Sequence, residues 1–213
     1  MNALTNTFTT SIGKKLLMAI TGLGFCIFLL THLLGNLTLY VGRQTFESYV
    51  EHLHALEPLI KVVEIGLLVF LVVHVTMGAL LFFQNRQARP QRYAVNKSGG
   101  GRTIGSATAP YTGFLILLFV IFHLMNFHFV EHPGGSVFNT VTNTFTNAYY
   151  TGIYILAMIV VAIHVRHGFW SLFQTLGANH TKYMPIIQKA GIVFALLLGI
   201  GFGLIPPFIG LGF

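Results

Sequence analysis

IGKKLLMAITGLGFCIFLLTHLLGNLTLYV, residues 12–41, is apolar over nearly its whole length. After Lys14 and Lys15 its only basic side chain is His32. About 20 apolar residues in a helix cross the hydrocarbon core of a bilayer, so a run of this length reads as a membrane span. Four further runs have the same character, at about residues 58–83, 109–130, 148–173 and 185–209. Pro58, Pro110 and Pro185 fall at or near helix starts, where a missing N–H costs nothing. Pro206 and Pro207 cannot continue a helix and end the fifth run.

The composition agrees. Of 213 residues, 54% are hydrophobic and 8% charged, with mean hydropathy +0.73. A soluble domain carries about 25% charged residues. The expected fold is an all-α membrane protein with five transmembrane helices, in one transmembrane domain over residues 1–213. The start of the chain faintly resembles a signal peptide. Its apolar run is too long for one and lacks a small-residue cleavage site, so it reads as a retained first helix. The single Cys26 permits no disulfide and no thiolate metal site within the chain.

The net charge of +7 would suggest nucleic acid as a partner of a soluble protein. Here it has a topological reading instead, with the lipid bilayer as partner and no nucleic acid. Lys14 and Lys15 precede helix I. Arg86, Arg89, Arg92, Lys97 and Arg102 fill the loop between helices II and III. Lys182 and Lys189 lie between helices IV and V and early in V. Five spans put all of these on one side, which the positive-inside rule makes the cytoplasm, N-terminus included. The acidic residues Glu47, Glu51, Glu57, Glu64 and Glu131 fall in or near the opposite loops. The basic loop around KSGGGR (97–102) reads as a linker or as a docking surface for an acidic or soluble partner. With no soluble domain in the chain, chemistry on a water-soluble substrate falls to another subunit.

Ionisable side chains inside a span are costly and mark function by default. His32, His74, His123 and His164 occupy four different spans, with 42 residues within the first pair and 41 within the second. Each lies three or four residues past the middle of its helix, and the helices alternate in direction. His32 and His123 therefore share an outer level and His74 and His164 an inner one, roughly 10 Å apart at 1.5 Å per residue. Paired neutral imidazoles facing across a bundle are what a bis-histidine haem requires. The expected architecture is a four-helix haem-binding bundle plus a fifth helix, with two haem b groups forming an electron wire. Gly35, Gly78 and Gly168 are small residues near these histidines and would allow close approach. The blander account is four separate histidines, each hydrogen-bonded between helices. A mononuclear zinc or non-haem iron site would need its ligands at one depth with carboxylates nearby.

Other residues carry weaker signals. HLLGN at His32 resembles HLMNF at His123, and VVHVTMG at His74 resembles AIHVRHG at His164, so helices I–II and III–IV read as a duplicated pair. His167 sits nearer the inner surface than His164. Arg166 reads either as a partner of a haem propionate or as snorkelling to the interface. His52, His54, His128 and His132 lie at the outer side, as proton shuttles or as solvated loop residues. A quinone site near the outer haem needs hydrogen-bond partners and a proton acceptor. Glu47, Glu51, Glu64, Asn36, Asn126 and His128 are candidates, and Glu64 is favoured for its place near the membrane boundary.

With these residues in view, the whole chain resembles the single-chain, di-haem cytochrome b anchor of succinate:quinone oxidoreductase and quinol:fumarate reductase. HVRHGFWSLFQTLG (164–177) is similar to the family's H-x-x-x-G-[FL]-W-S-F-x-x-T-x-G segment, which selects His164 over His167 as ligand. Helix II keeps a glutamate ten residues before its histidine, Glu64. The resemblance implies that His32 and His123 bind the distal haem and His74 and His164 the proximal, cytoplasmic one. It implies a flavoprotein subunit and an iron–sulfur subunit on the cytoplasmic face, menaquinone as the usual quinone, and a bacterial cytoplasmic membrane. Some fumarate reductases of this type carry a proton-conducting glutamate two residues before the fourth histidine. This chain has Ala162 there, so that path is absent and the direction of turnover stays open. Two other readings remain: the di-haem cytochrome b of a formate dehydrogenase or hydrogenase, and a haem-free transporter or scaffold. The last would show broken helices around a midplane site, and no such interruption is visible in the sequence.

Overall fold

The computed structural model describes residues 10–88 and 103–212. The KSGGGR segment, with Arg89, Arg92, Lys97 and Arg102, lies outside the described residues. Helix α1 (Ser11–Leu37) continues as a 3-10 turn (Thr38–Tyr40). A short helix α2 (Arg43–Ala55) leads to α3 (Glu57–Gln87). Then follow α4 (Ile104–Phe127), a 3-10 turn (Pro133–Gly135) and the short α5 (Val137–Phe145). The chain ends in α6 (Ala148–Thr175), α7 (Met184–Gly203) and α8 (Ile205–Gly210).

Five helical stretches of 24–31 residues are long and apolar enough to cross a membrane. They are α1, α3, α4, α6 and α7–α8, the five expected spans. Their apolar side chains point outward. Val62, Ile65, Leu68, Phe114, Leu156 and Val193 are all more than half exposed. Lipid makes this arrangement stable, because the helical backbone satisfies its own hydrogen bonds.

The starts follow local chemistry. Thr10 caps α1 by accepting from the Gly13 N–H at 3.1 Å. Asn147 caps α6 by accepting from the Tyr149 N–H at 2.9 Å. Helix α4 starts five residues earlier than the proline suggests. Thr103 and Ser106 exchange side-chain and backbone hydrogen bonds and fix the start at Ile104. Pro110 therefore sits inside the helix and removes the bond its N–H would have made to residue 106. The Pro206–Pro207 pair has two effects. The long helix stops at Gly203, and the prolines then occupy the first turn of α8.

Helices α2 and α5 are additions to the sequence reading, which treated both segments as loops. Each is short and amphipathic, with Phe46 or Val141 and Phe145 buried. These residues join Leu39, Tyr154, Ile205 and Ile209 in one apolar cluster that closes one end of the bundle. Arg43 donates to Ser136 at 3.4 Å, and the Ser136 hydroxyl donates to the Glu47 carboxylate, tying α2 to α5. Tyr49 lays its phenol on Gly35, where any Cβ would collide with the hydroxyl. At the opposite, basic end, buried Lys14 donates to the Gln84 side-chain oxygen at 2.9 Å and joins α1 to α3.

Helix α1 packs on α3 and α6, α4 packs on α6 and more lightly on α3, and α7 covers α1 and α6. The four long helices α1, α3, α4 and α6 thus form the sides of a square, with α1 diagonal to α4 and α3 diagonal to α6. A second core cluster holds the α1–α6–α7 corner: Leu33, Met158, Val161, Val165 and Leu198. Leu198 is 0% exposed. Leu198→Ala should cost about 2–5 kcal/mol. A thermal melt in detergent should show a clearly lower midpoint, whereas Val193→Ala on the outer face should leave it nearly unchanged.

Candidate functional site

His32 and His123 come from the diagonal helices α1 and α4. Their ring centroids are 6.0 Å apart with an interplanar angle of 88°. Aromatic rings surround the pair. Phe28 stacks on His32 at 5.2 Å, Phe202 from α7 stands 5.5 Å from it, and Phe119 and Phe127 flank His123 at 5.8 and 5.3 Å. The polar contacts here are long. His32 Nε2 meets the Asn36 side-chain nitrogen at 3.5 Å, the limit of a hydrogen bond, while that nitrogen donates to the His32 carbonyl at 2.9 Å. His123 Nδ1 lies 3.4 Å from the Tyr154 hydroxyl, which accepts from Asn126 at 3.2 Å.

His74 and His164 come from the other diagonal, α3 and α6. Each contacts a threonine on the neighbouring helix. Thr21 Oγ1 is 2.9 Å from His74 Nδ1, and Thr112 Oγ1 is 3.0 Å from His164 Nδ1. The glycine after each threonine makes room for the ring. A Cβ at Gly22 would stand 3.6 Å from His74 Cε1, and one at Gly113 would stand 3.3 Å from His164 Cε1. Gly35, Gly78 and Gly168, the glycines singled out from sequence, serve elsewhere. Gly35 admits Tyr49, Gly78 faces Met18 at ordinary contact distance, and Gly168 faces open space.

Among the described residues no three His, Cys or acidic side chains gather as a metal site. His32 and His123 meet each other, while His74 and His164 each meet a threonine. A metal–imidazole distance of roughly 2 Å puts the centroids of two rings on one iron about 6 Å apart, which is the His32–His123 separation. A second observation favours a polar guest at the basic end. His167 Nδ1, one turn beyond His164, is buried with no hydrogen-bond partner. The His32–His123 spacing therefore fits a bis-histidine haem, and His74 and His164 offer the same donor chemistry, with His167 and Lys14 towards the basic end.

The other candidates are dispersed. Arg166 is exposed and forms no ion pair among the described residues. Glu64 pairs with Lys61 on its own helix at 3.1 Å. Glu51, His54 and His128 are exposed, and His52 bonds the Ser48 carbonyl at 2.6 Å. His132 bonds Thr140 at 2.9 Å. Two clefts open near the His32–His123 level. One, about 260 Å³, is apolar and runs between α1 and α3 past Phe28, Thr31, Val63 and Phe70. The other, about 320 Å³, is lined by Asn126, Glu131, Thr140, Asn143 and Tyr150. Sequence reasoning passed over Thr21 and Thr112. Their signal was available as the dipeptide Thr-Gly, eleven residues before both His32 and His123.

No protein-family model, curated protein or solved structure matches the chain. Gly113→Leu should overpack the His164 ring and cost about 1–3 kcal/mol. Gly152→Leu, in open space on α6, is the control. Equal thermal midpoints for the two variants would show that His164 does not depend on the gap at Gly113.

Proposed function

We propose that the chain is a di-haem cytochrome b: the membrane anchor and electron-transfer subunit of a succinate:quinone oxidoreductase or quinol:fumarate reductase. The observation that carries this reading is the His32–His123 pair, two imidazoles from diagonal helices with centroids 6.0 Å apart. The chain lies in a bacterial cytoplasmic membrane with its N-terminus and basic loops on the cytoplasmic side. Its four long helices form the haem-binding bundle, and α7–α8 is the fifth span. A flavoprotein subunit and an iron–sulfur subunit dock on the basic face.

Haem b supplies a one-electron carrier at each level when bound. His32 and His123 would hold the outer group and His74 and His164 the inner one, and the two groups would supply one-electron carriers between an iron–sulfur subunit and menaquinone. Aromatic side chains around His32 and His123 exclude water from the outer level. Lys14 and the orphaned His167 Nδ1 offer donors to carboxylates of the inner group, and Arg166 does so from the interface. A reduced-minus-oxidised spectrum of the purified chain, with haem quantified per polypeptide, tests this. Two b-type haems per chain are expected, falling to one in His32→Ala and to one in His74→Ala. A chain without visible absorption belongs instead to the haem-free transporters or scaffolds. Co-purification with a molybdenum or nickel enzyme would assign it to the formate dehydrogenase or hydrogenase type.

The quinone binds beside the outer level. Glu64 is the proposed proton acceptor; it does not itself line the α1–α3 cleft, but its chain neighbour Val63 does, and Phe28 at the cleft wall stacks on His32. The second cleft supports Asn126 as a rival contact, through Tyr154 to His123. Proton transfer by a placed side chain contributes about 100-fold or more. Menaquinol oxidation should fall by about that factor in Glu64→Gln with both haems retained. Wild-type turnover in that variant, with a loss in Asn126→Leu, would move the site to the second cleft.

A further inference from the structure

Thr21 and Thr112 do the same thing twice. Thr21 is 3% exposed and Thr112 8% exposed. The Thr21 hydroxyl donates to the Leu17 carbonyl at 2.8 Å, with Met18 at 3.2 Å. The Thr112 hydroxyl donates to the Thr108 and Ala109 carbonyls, each at 3.1 Å. A hydroxyl has one proton and two lone pairs. With the proton committed to the backbone, the oxygen can only accept from the imidazole it touches. Nδ1 of His74 and of His164 therefore carries the ring proton. That leaves Nε2 with its lone pair free, the form in which a histidine binds a metal.

We infer that Thr21 and Thr112 are positioning residues for the inner histidine pair, fixing the tautomer and the ring orientation of His74 and His164. The inference rests on the haem reading. An acceptor on Nδ1–H also makes Nε2 a stronger donor, which favours the oxidised metal and tightens its binding. The outer pair has no threonine of this kind and only longer contacts. Its nearest polar contacts are 3.4 and 3.5 Å, from a phenol and an amide. Two equally placed threonines thus act on one level only.

Thr→Val keeps the shape and removes the acceptor, while Thr→Ser keeps it. Optical redox titration of the purified chain should resolve two haems. In Thr21→Val and in Thr112→Val, one and the same haem should become easier to reduce, by about tenfold in its equilibrium constant, or about 59 mV for one electron. The other haem should not move, and Thr21→Ser and Thr112→Ser should match the wild type. Unchanged potentials in both Val variants, with two haems bound, would overturn the inference and leave the cytochrome reading intact. A wild-type chain without haem would overturn that reading instead. If the Val variants do not fold, Thr21→Ala and Thr112→Ala take their place. The same rise in potential of one haem supports the inference, and unchanged potentials with two haems bound overturn it.

Discussion

A neutral imidazole in an apolar interior has one N–H that must be satisfied, because an unpaired polar group there costs free energy. Four such rings lie inside this bundle, one on each of its four long helices. The inner pair is satisfied by hydroxyls from adjacent helices, and that requirement sets the register of the bundle. Thr21 and His32 are eleven residues apart, about three turns, so they project from one face of α1. The same spacing joins Thr112 and His123 on α4. Each of these helices therefore serves both levels at once. It offers a hydroxyl to the inner pair and an imidazole to the outer one. Sliding α1 by one residue would rotate both groups by about 100° and break both levels together.

The two ends of the bundle solve different problems. At one end, α2, α5 and α8 bring Phe46, Phe145 and Ile209 over the helix termini. This cap holds Tyr154 in the aromatic cluster against His123. At the other end no such set of short helices is found among the described residues. Buried Lys14 is bonded only to a neutral amide at its Nζ among the described contacts, and His167 Nδ1 has no partner. The closed end shields the outer level. The basic end keeps two buried nitrogens, Lys14 Nζ and His167 Nδ1, with few partners among the described residues.

The five spans and the four histidines were legible because both signals are coarse. Hydropathy needs only composition over about 20 residues, and a histidine stands out in an apolar run. The His32–His123 contact followed from helix direction and depth alone. The short helices were missed because their apolar faces are only a few residues wide and their hydropathy is unremarkable. The start of α4 was misplaced because Thr103–Ser106 capping outweighs a proline signal. Thr21 and Thr112 were missed because threonine is common in spans, and its role depends on which helix stands opposite. The glycines were misassigned for the same reason. Only packing reveals that Gly22 and Gly113, not Gly78 and Gly168, face the inner rings.

The diagonal layout repeats one arrangement twice. Helices α1 and α4 run one way and α3 and α6 the other. The Thr-Gly dipeptide faces a histidine across the α1–α3 hairpin and again across the α4–α6 hairpin. The two hairpins are therefore related by a pseudo-twofold axis along the bundle, as in a symmetric dimer whose subunits have been joined end to end. Each hairpin contributes one ring to each level, so neither half completes a histidine pair alone. Helix α7 breaks the symmetry by packing mainly on α6 and α1. It brings Phe202 to His32, one member of the outer pair. Gene fusion followed by that one-sided addition would turn two equivalent faces into an inside and an outside of the same molecule.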